Sequence, residues 1–408
     1  MLPAGQYLFL LPFPLGEPGP EARLGGMACV RTDKTFTSVG KMEFLPCRIP
    51  EHALPSPSYL FAQGLNPFQL ADAPSESDFF AQVVERLSVP NIRVITWSAR
   101  HLQALNAVAL RLLRNPVLPS GVISLTALNQ VLKTSWVFGT LNKKPGKDLL
   151  SCARMLGFTE TLPRFAPEGR LKALLFIAAL MAKGDEAVFA FQLRTRAQLR
   201  KAWDQACGGQ KLLATLNADC VPELLKPVEP GKEGIFKALR FDGDEVSGWY
   251  YLQEDCELLA PAGILTPERQ ERLHFDFKAA AEALENFEGK AEDKRPLPYW
   301  QTFFAKLSPS DREFFAATGD KALQFQVDPG SKYSDFLRSW ILWYRGDNFR
   351  GSLSDAELQL YTRRSRAEVI GRLDAYLQEA AALQNYVNEN NPEDLKLVEA
   401  IQRYLLDL

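Results

Sequence analysis

The segment QYLFLLPFPLGEPGP, residues 6–20, begins as a short apolar run and is then interrupted by Pro12 and Pro14. Residues 1–20 contain no Lys or Arg, whereas a secretory signal peptide has a cationic start and an unbroken apolar run. We therefore expect no export, and we interpret residues 7–11 as the first strand of a sheet. Further strand candidates are ACVRT at 28–32 and IRVITW at 92–97.

Helix-like segments alternate with these strands. They are DFFAQVVERL at 78–87, ALNAVALRLLR at 104–114 and GRLKALLFIAALMAK at 169–183. Such alternation predicts a mixed sheet covered by helices, which we assign to residues 1–192. The apolar centre of the last helix, residues 173–182, has about half the length that a membrane span requires, so we expect a buried helix and no membrane partner.

The rest of the chain changes character twice. Turn-rich sequence such as FDGDEVSGWYYL at 241–252 predicts a small β-rich module over residues 193–265. From TPERQERL at 266–273, which starts with a Thr cap and a Pro, the sequence is helical to residue 408. Near the end, Leu373, Tyr376, Leu377 and Ala380 recur at helical spacing, as do Leu395, Val398, Ile401, Tyr404 and Leu405, which predicts buried helix faces.

Composition excludes several classes of function. A length of 408 residues predicts two or three domains, and a net charge of −2 gives no overall attraction for phosphate, so any nucleic-acid surface must be local. The six cysteines include no C-x-x-C pair and there are three histidines. We expect no metal site of the zinc type and interpret the cysteines as free thiols of a cytoplasmic protein.

Three blocks of sequence resemble the bacterial exonuclease I family of 3′-to-5′ single-strand DNA exonucleases. They are CVRTDKTF at 29–36, YLFAQGLNPFQLADAPSESDF at 59–79 and WYRGDNFRGSLSDAEL at 343–358. The last is similar to the family's Y-R-A-R-N-F-P-G-T-L run. The resemblance implies an RNase H-like exonuclease domain, an SH3-like module and a helical domain that together enclose single-stranded DNA.

The resemblance also implies where the chemistry should lie. Family members hold two divalent metals with four carboxylates and use a histidine as the general base. In this sequence the corresponding positions fall on Leu11, Phe13, Gln103, Arg164 and Gly169. A slip of one residue would place Glu168 at the last position, which still leaves at most one carboxylate of four.

We therefore hypothesise a non-catalytic member of the family, a pseudo-exonuclease without a cofactor, in DNA repair, replication or phage defence. Two alternatives remain open. One is an active exonuclease that binds Mg²⁺ at a relocated site, and the other is a scaffold subunit that binds protein partners alone. We also interpret the acidic residues of ADAPSESD at 71–78 as helix caps and solvated loop.

The densest basic and aromatic stretch, residues 332–366, is the candidate for binding single-stranded DNA, because such sites combine phosphate-pairing cations with rings on which bases stack. The candidate residues are Arg338, Trp343, Tyr344, Arg345, Phe349 and Arg350. A helical core with a solvated basic face fits the same pattern.

A protein partner is the other expectation. Family members bind the acidic tail of single-stranded-DNA-binding protein through a Gln and an Arg just before the helical domain. Those positions hold Pro261 and Thr266 here, so the sequence predicts against this partnership unless Arg269 or Arg272 compensates. The identity of any other protein partner is left open.

Overall fold

A computed structural model describes most of the chain. The described residues are 6–17, 22–90, 92–98, 104–114, 124–163, 166–193, 196–216, 220–229, 235–241, 245–253, 260–287, 299–316, 323, 325, 332–387 and 391–407. The segment EGKAEDKRPLP at 288–298, which is charged, ends in prolines and is typical of a linker, lies outside them.

A five-stranded mixed sheet forms the first part of the molecule. Its strands are β1 (Tyr7–Pro14), β2 (Leu24–Thr32), β3 (Glu43–Pro46), β4 (Arg93–Thr96) and β5 (Ser124–Ala127), in the order β3-β2-β1-β4-β5. Strand β1 pairs antiparallel with β2 and parallel with β4. The mixed sheet expected from the alternation of strands and helices is confirmed, although β3 and β5 were not predicted.

The two prolines lie in the half of β1 that has a single partner. Strand β4 pairs only with Tyr7–Phe9, whereas β2 follows β1 as far as Pro14, with an irregularity between Phe13 and Pro14. Proline is excluded from fully paired central strands because it has no N–H. The early end of β4 therefore explains how a central strand contains Pro12 and Pro14.

Helices cover both faces of this sheet, and alternate residues of β1 enter two different cores. Tyr7, Phe9, Leu11 and Phe13 face one core, and Leu8 and Leu10 face the other. Because both faces are buried, β1 reads as a continuous apolar run. The helices of this part are α1 (Pro57–Gln63), α2 (Pro67–Ala71), α3 (Glu76–Leu87), α4 (Ala104–Arg111), α5 (Leu128–Phe138), α6 (Leu149–Met155), α7 (Pro167–Gly184), α8 (Glu186–Gln192) and α9 (Arg196–Gly208).

A second five-stranded sheet follows, as the turn-rich sequence predicts. Its strands are β6 (Leu213–Leu216), β7 (Pro222–Pro227), β8 (Ile235–Phe241), β9 (Val246–Gln253) and β10 (Ala260–Pro261), in the order β10-β6-β7-β8-β9. All of its pairings are antiparallel. Apolar residues of this sheet pack with the end of α5 and with the helix Phe277–Glu285 of the next part.

The remaining chain is helical. Its helices are α10 (Pro267–Arg272), α11 (Phe277–Glu285), α12 (Tyr299–Ala305), α13 (Pro309–Ala316), α14 (Asp335–Asn348), α15 (Asp355–Ala382) and α16 (Pro392–Arg403). Helix α14 packs into the core on one face of the first sheet, and the ends of α15 and α16 pack into the core on the other face. The helical part is thus joined to both faces of the first sheet.

The expected buried helix faces are confirmed only in part. Tyr376 and Ala380 of α15 and Ile401 of α16 are buried, but Leu377 and Leu395 are 48% and 44% exposed. Helical spacing identifies a shared face, but it cannot tell which edge of that face a neighbour covers.

The described cysteines are free thiols, as expected. Cys29, Cys47, Cys152 and Cys220 are buried and Cys207 is partly buried. Within the described part of the chain, no helix combines the length and the apolar character needed to cross a membrane.

Candidate functional site

Two of the five positions that the resemblance assigns to the catalytic site carry buried apolar side chains. Leu11 is 6% exposed and Phe13 is 1% exposed, and both lie in the core on one face of the first sheet. The ring of Phe13 meets the ring of Phe44 edge-on at 5.5 Å, and the guanidinium of Arg170 lies 5.9 Å from its centroid. Helix α7 therefore reaches the end of β1, as a shared site would require, but it places a guanidinium over an aromatic ring there.

Gly169, in the first turn of α7, leaves no room for a ligand of its own. A Cβ atom at this position would lie 2.4 Å from Cδ2 of Leu162, so any larger residue would have to displace that side chain. The neighbouring Glu168 is exposed. Gln103 and Arg164 lie outside the described residues.

These side chains do not fit a pair of Mg²⁺ ions. Mg²⁺ binds hard oxygen ligands, and Leu11, Phe13 and Gly169 have no such atom in their side chains. Among the residues that the structure describes, no group of three or more His, Cys, Asp or Glu side chains is placed to hold a metal ion.

Beyond the end of β1, a cleft of about 680 Å³ separates the loops of the first sheet from α14 and α15. Its wall includes Leu15 and Gly16 directly after β1, and Trp340 and Trp343 of α14. Titratable residues contribute most of its polar lining: Glu17, Arg23, His52, Glu76, Arg111, Asp347, Glu368, Arg372 and Glu379.

At the side of the cleft lies a buried charged cluster, which we call the Asp347 cluster: Arg23, His52, Glu76, Arg111, Asp347 and Tyr361. Its first half joins Glu76 to two arginines. Arg111 donates to both carboxylate oxygens of Glu76, with Nη2 2.6 Å from Oε1, and Nη1 of Arg23 lies 3.8 Å from Oε2. Burial pushes the pKa of Glu76 upward, but Arg111 and Arg23 outweigh it, so the pKa lies below its usual value.

The second half of the cluster surrounds Asp347. Arg23 Nη2 donates to Asp347 Oδ2 at 3.3 Å, and the Tyr361 hydroxyl donates to Oδ1 at 2.9 Å. His52 Nδ1 lies 3.4 Å from Oδ1, while its Nε2 accepts from Arg23 Nη2 at 3.1 Å. Because Nε2 accepts from Arg23, the neutral imidazole carries its proton on Nδ1. Nδ1 lies near Asp347 but outside hydrogen-bond geometry with the described acceptors.

Burial controls the protonation of this half. It lowers the pKa of His52 to about 2, and Arg23 lowers it further, so the imidazole is neutral. Burial raises the pKa of Asp347 to about 6, although Arg23 opposes the rise. Burial also raises the pKa of Tyr361, with the Asp347 carboxylate as the next cause.

The sequence pattern did not identify this cluster, and the interpretation of Glu76 as a solvated capping residue is wrong. Ser75 does cap α3, accepting from the Asp78 amide, but Glu76 is 4% exposed. A usable signal was Arg111, a cation within the apolar helix ALNAVALRLLR, because a buried guanidinium needs a buried acceptor. Its partner lies 35 residues away, and spacing does not give it.

The six candidate DNA-binding residues divide into buried and accessible groups. Arg345 is 3% exposed and donates to Glu357 Oε1 at 2.7 Å, to Ser352 Oγ at 3.2 Å and to the Phe325 carbonyl oxygen. Tyr344 is 6% exposed. These two residues hold the turn between α14 and α15 together.

The other four candidates reach the surface or the cleft. Arg350 is 47% exposed, pairs with Glu51 at 2.9 Å and lies over the Tyr361 ring. Arg338 pairs with Asp335, and Phe349 is partly buried beside Tyr344. Trp343 lies against His52, with ring centroids 4.3 Å apart.

The residues considered for a protein tail have structural roles of their own. Arg269 and Arg272 donate to the carbonyl oxygens of Phe138 and Val137, at the C-terminal end of α5. Both arginines therefore join the helical part to α5. Pro261 is exposed, and Thr266 occupies the N-cap position of α10 without a capping hydrogen bond.

No protein-family model and no curated protein matches this chain. Solved structures do. E. coli exonuclease I in complex with a dA16 oligonucleotide has a TM-score of 0.78 and 18% sequence identity over 99% of both chains. A product-bound exonuclease I has a TM-score of 0.80 and 18% identity over 100% of both chains. A structure of SSB/exonuclease I with the inhibitor CFAM has a TM-score of 0.80 and 17% identity, over 99% of this chain and 100% of the other.

The chain has an exonuclease I-like fold. This confirms the fold class expected from the sequence, with a mixed α/β sheet, a small antiparallel sheet and a helical part. In the exonuclease I-like fold, the Asp347 cluster lies where the third resembling block, 343–358, meets loops that precede α1 and α3.

The raised pKa of Asp347 predicts a dependence of stability on pH. Because the folded state binds this proton more tightly than the unfolded chain does, the contribution is fully present below about pH 4 and is lost as the pH rises through 6. Asp347→Asn removes this titration but keeps an acceptor for Tyr361. The free energy of unfolding of the wild type, relative to this variant, should fall by about 2 kcal/mol between pH 4 and pH 7.

Urea denaturation of both proteins at several pH values from 4 to 7 checks this expectation. Asp72→Asn, which removes an exposed carboxylate, is the matched control. A difference between wild type and Asp347→Asn that stays constant over this range would contradict the role given to Asp347.

Proposed function

We propose that this chain is a non-catalytic protein with an exonuclease I-like fold, which binds single-stranded DNA without cleaving it. The observation that carries the proposal is the burial of Leu11 and Phe13 among apolar side chains at the end of β1. The exonuclease I-like fold supports the location of a former metal site at the end of β1. The apolar side chains at that location support the loss of metal-dependent cleavage.

The physical requirement of two-metal catalysis is strict. Two divalent ions bring four positive charges together, and they are held only by a cluster of anionic oxygens. Apolar side chains leave those charges without compensation, and a buried unpaired charge costs several kcal/mol or more. The packing around Phe13 therefore favours a folded state without metal.

A relocated site at the nearby carboxylates has less support. Glu76 and Asp347 are the buried carboxylates of the cleft, and both lie within 4 Å of Arg23, with Arg111 also on Glu76. Guanidinium groups thus supply the positive charge that a metal would otherwise supply. A metal ion there would have to displace these pairs.

Nuclease activity tests the proposal directly. We expect a 5′-labelled oligothymidine to keep its length with the protein in excess and Mg²⁺ or Mn²⁺ present, as it does with a chelator. Shortening that requires the metal would contradict the proposal. If Asp347→Asn and Glu76→Gln abolished such shortening, the Asp347 cluster would be the relocated site.

We infer that the DNA contact lies on the accessible part of the basic and aromatic block, formed by Arg338, Trp343, Phe349 and Arg350. Support comes from the exposure of Arg350, from the rings beside it, and from the oligonucleotide in the E. coli structure of the same fold. Cations next to aromatic rings suit a single strand, whose phosphates and bases are both accessible. Tyr344 and Arg345 are buried beneath this surface and contribute to its packing.

Charge reversal of Arg338 and Arg350 to Glu should weaken binding of a labelled oligothymidine by at least about tenfold at low salt, because each phosphate contact is electrostatic. Fluorescence anisotropy over a range of salt concentrations measures this, with Lys34→Glu, an exposed cation of the β2–β3 loop, as the control. Arg345→Glu is unsuitable, since it would bury a second carboxylate beside Glu357.

Equal affinity of the double variant and the wild type would remove these residues from the proposal. Absence of any binding by the wild type would instead favour the protein-only scaffold. The nuclease assay therefore tests the loss of cleavage and the binding assay tests the DNA contact, and either part of the proposal can be contradicted without the other.

A further inference from the structure

One face of helix α15 is exposed to solvent, although it carries apolar side chains at the spacing of a packed helix face. Arg363, Arg366, Ile370, Leu373 and Leu377 follow one another at intervals of three and four residues. Ile370 is 70% exposed and Leu377 is 48% exposed, while Leu373 between them is partly buried. A surface helix normally turns such residues towards a core.

The spacing is that of a helix–helix seam. Intervals of three and four residues place side chains in a single stripe along a helix, as in coiled coils. From Arg363 to Leu377 the stripe is about 21 Å long at 1.5 Å per residue. Its apolar part, from Ile370 to Leu377, is about 10 Å long and can pair with about two turns of another helix.

Charge is distributed unequally along the stripe. Arg363 and Arg366, both exposed, lie at its N-terminal end, and within the described part of the chain neither forms an ion pair. Asp374, also exposed, lies on the same side of the helix towards the other end. The stripe thus has a cationic end, an apolar centre at Ile370 and an anionic residue beyond it.

We propose that this face of α15 binds the same face of a second copy of the chain, with the two helices antiparallel and centred on Ile370. A two-fold axis through the centre brings the cationic end of each helix beside Asp374 of the other. The surface is then complementary to itself, as an isologous contact requires. This inference is independent of whether the chain cleaves or binds DNA.

The charges select the antiparallel arrangement. Parallel helices in register would place Arg363 and Arg366 beside the same two residues of the other copy, and like charges at that distance repel. Reversing one helix replaces that repulsion by two sets of opposite charges. Both arrangements place Ile370 against Ile370. Parallel helices would also pair Leu377 with Leu377, whereas in the antiparallel pair Leu377 packs on the hydrocarbon stem of Arg363 of the other copy, so apolar surface is covered in both.

The size of the face sets the strength of the association. A stripe about 21 Å long on a helix about 10 Å wide covers about 200 Å² on each copy. Stable dimers bury about 1,200 Å² or more in total, so this contact belongs to weak, reversible association. We therefore expect a dimer that forms with rising concentration and dissociates on dilution.

The face is less suited to single-stranded DNA. Base stacking requires exposed rings, and the stripe from Arg363 to Leu377 places no aromatic side chain between its charged and apolar residues. An exposed isoleucine does not strengthen a contact with phosphate. Its burial against an apolar surface of another molecule is favourable, because apolar area is removed from water.

Sedimentation velocity over a wide range of protein concentration tests the proposal. The wild type should show a monomer–dimer equilibrium. Arg363→Asp with Arg366→Asp gives a variant whose face is wholly acidic, and Asp374→Arg gives one whose face is wholly basic. We expect each variant alone to be monomeric and their equimolar mixture to restore the dimer, because each acidic end then meets a basic partner.

Two further variants test the apolar centre. Ile370→Glu should weaken the dimer by about tenfold or more, whereas Val39→Glu, a matched change at a residue that is 61% exposed, should leave it unchanged. A wild type that stays monomeric at high concentration would overturn the proposal. The proposal would also be overturned if all of these variants dimerised like the wild type. The same holds if Arg363→Asp with Arg366→Asp weakened oligonucleotide binding but left dimerisation unchanged.

Discussion

Asp347 lies near the end of α14, yet its carboxylate contacts Arg23 of the first sheet, His52 of the loop before α1 and Tyr361 of α15. Its side chain is 5% exposed, so these contacts are made away from water. A buried carboxylate without partners is strongly destabilising, so the three elements must meet if Asp347 is to be buried at all. The backbone adds to the joint, since Arg48 donates to the Asp347 carbonyl oxygen at 2.9 Å and Asn348 accepts from the Ser77 amide. The position of the helical part against the first sheet depends on this cluster.

The same constraint accounts for the character of the cleft. Arg23 is shared by Glu76 and Asp347, and Arg111 closes the Glu76 side, so cations and carboxylates compensate each other inside the protein. At the end of β1 the contacts are of another kind, because Phe13 meets the ring of Phe44 and the guanidinium of Arg170 lies over the Phe13 ring. Among the residues that the structure describes, this exonuclease I-like fold contains no group of three or more His, Cys, Asp or Glu side chains placed to hold a metal ion. Apolar packing stabilises one side of the site, and guanidinium–carboxylate pairs stabilise the other.

Much of the fold was predictable because its signals are local. The apolar run of β1, the alternation of strands and helices, and the Thr-Pro start of α10 each follow from a few adjacent residues. The short strands β3 and β5 were missed, since four residues carry little pattern. The burial of Leu11 and Phe13 was predictable from the apolar run of β1, whereas their place at a former metal site stays a prediction. The pairing of Glu76 with Arg111 was not predictable, because buried partners far apart in sequence leave no spacing rule. The exposure of Leu377 was missed for a related reason, as helical periodicity does not specify which neighbour is present.

The central claim is that the end of β1 does not bind divalent metal. Electron paramagnetic resonance of Mn²⁺ titrated into the protein measures this most directly, because bound and free Mn²⁺ give distinct signals, and neighbouring bound ions couple. Our account predicts that the Mn²⁺ signal stays that of the free ion, with and without an oligonucleotide. A pair of coupled Mn²⁺ ions bound to the protein would contradict it.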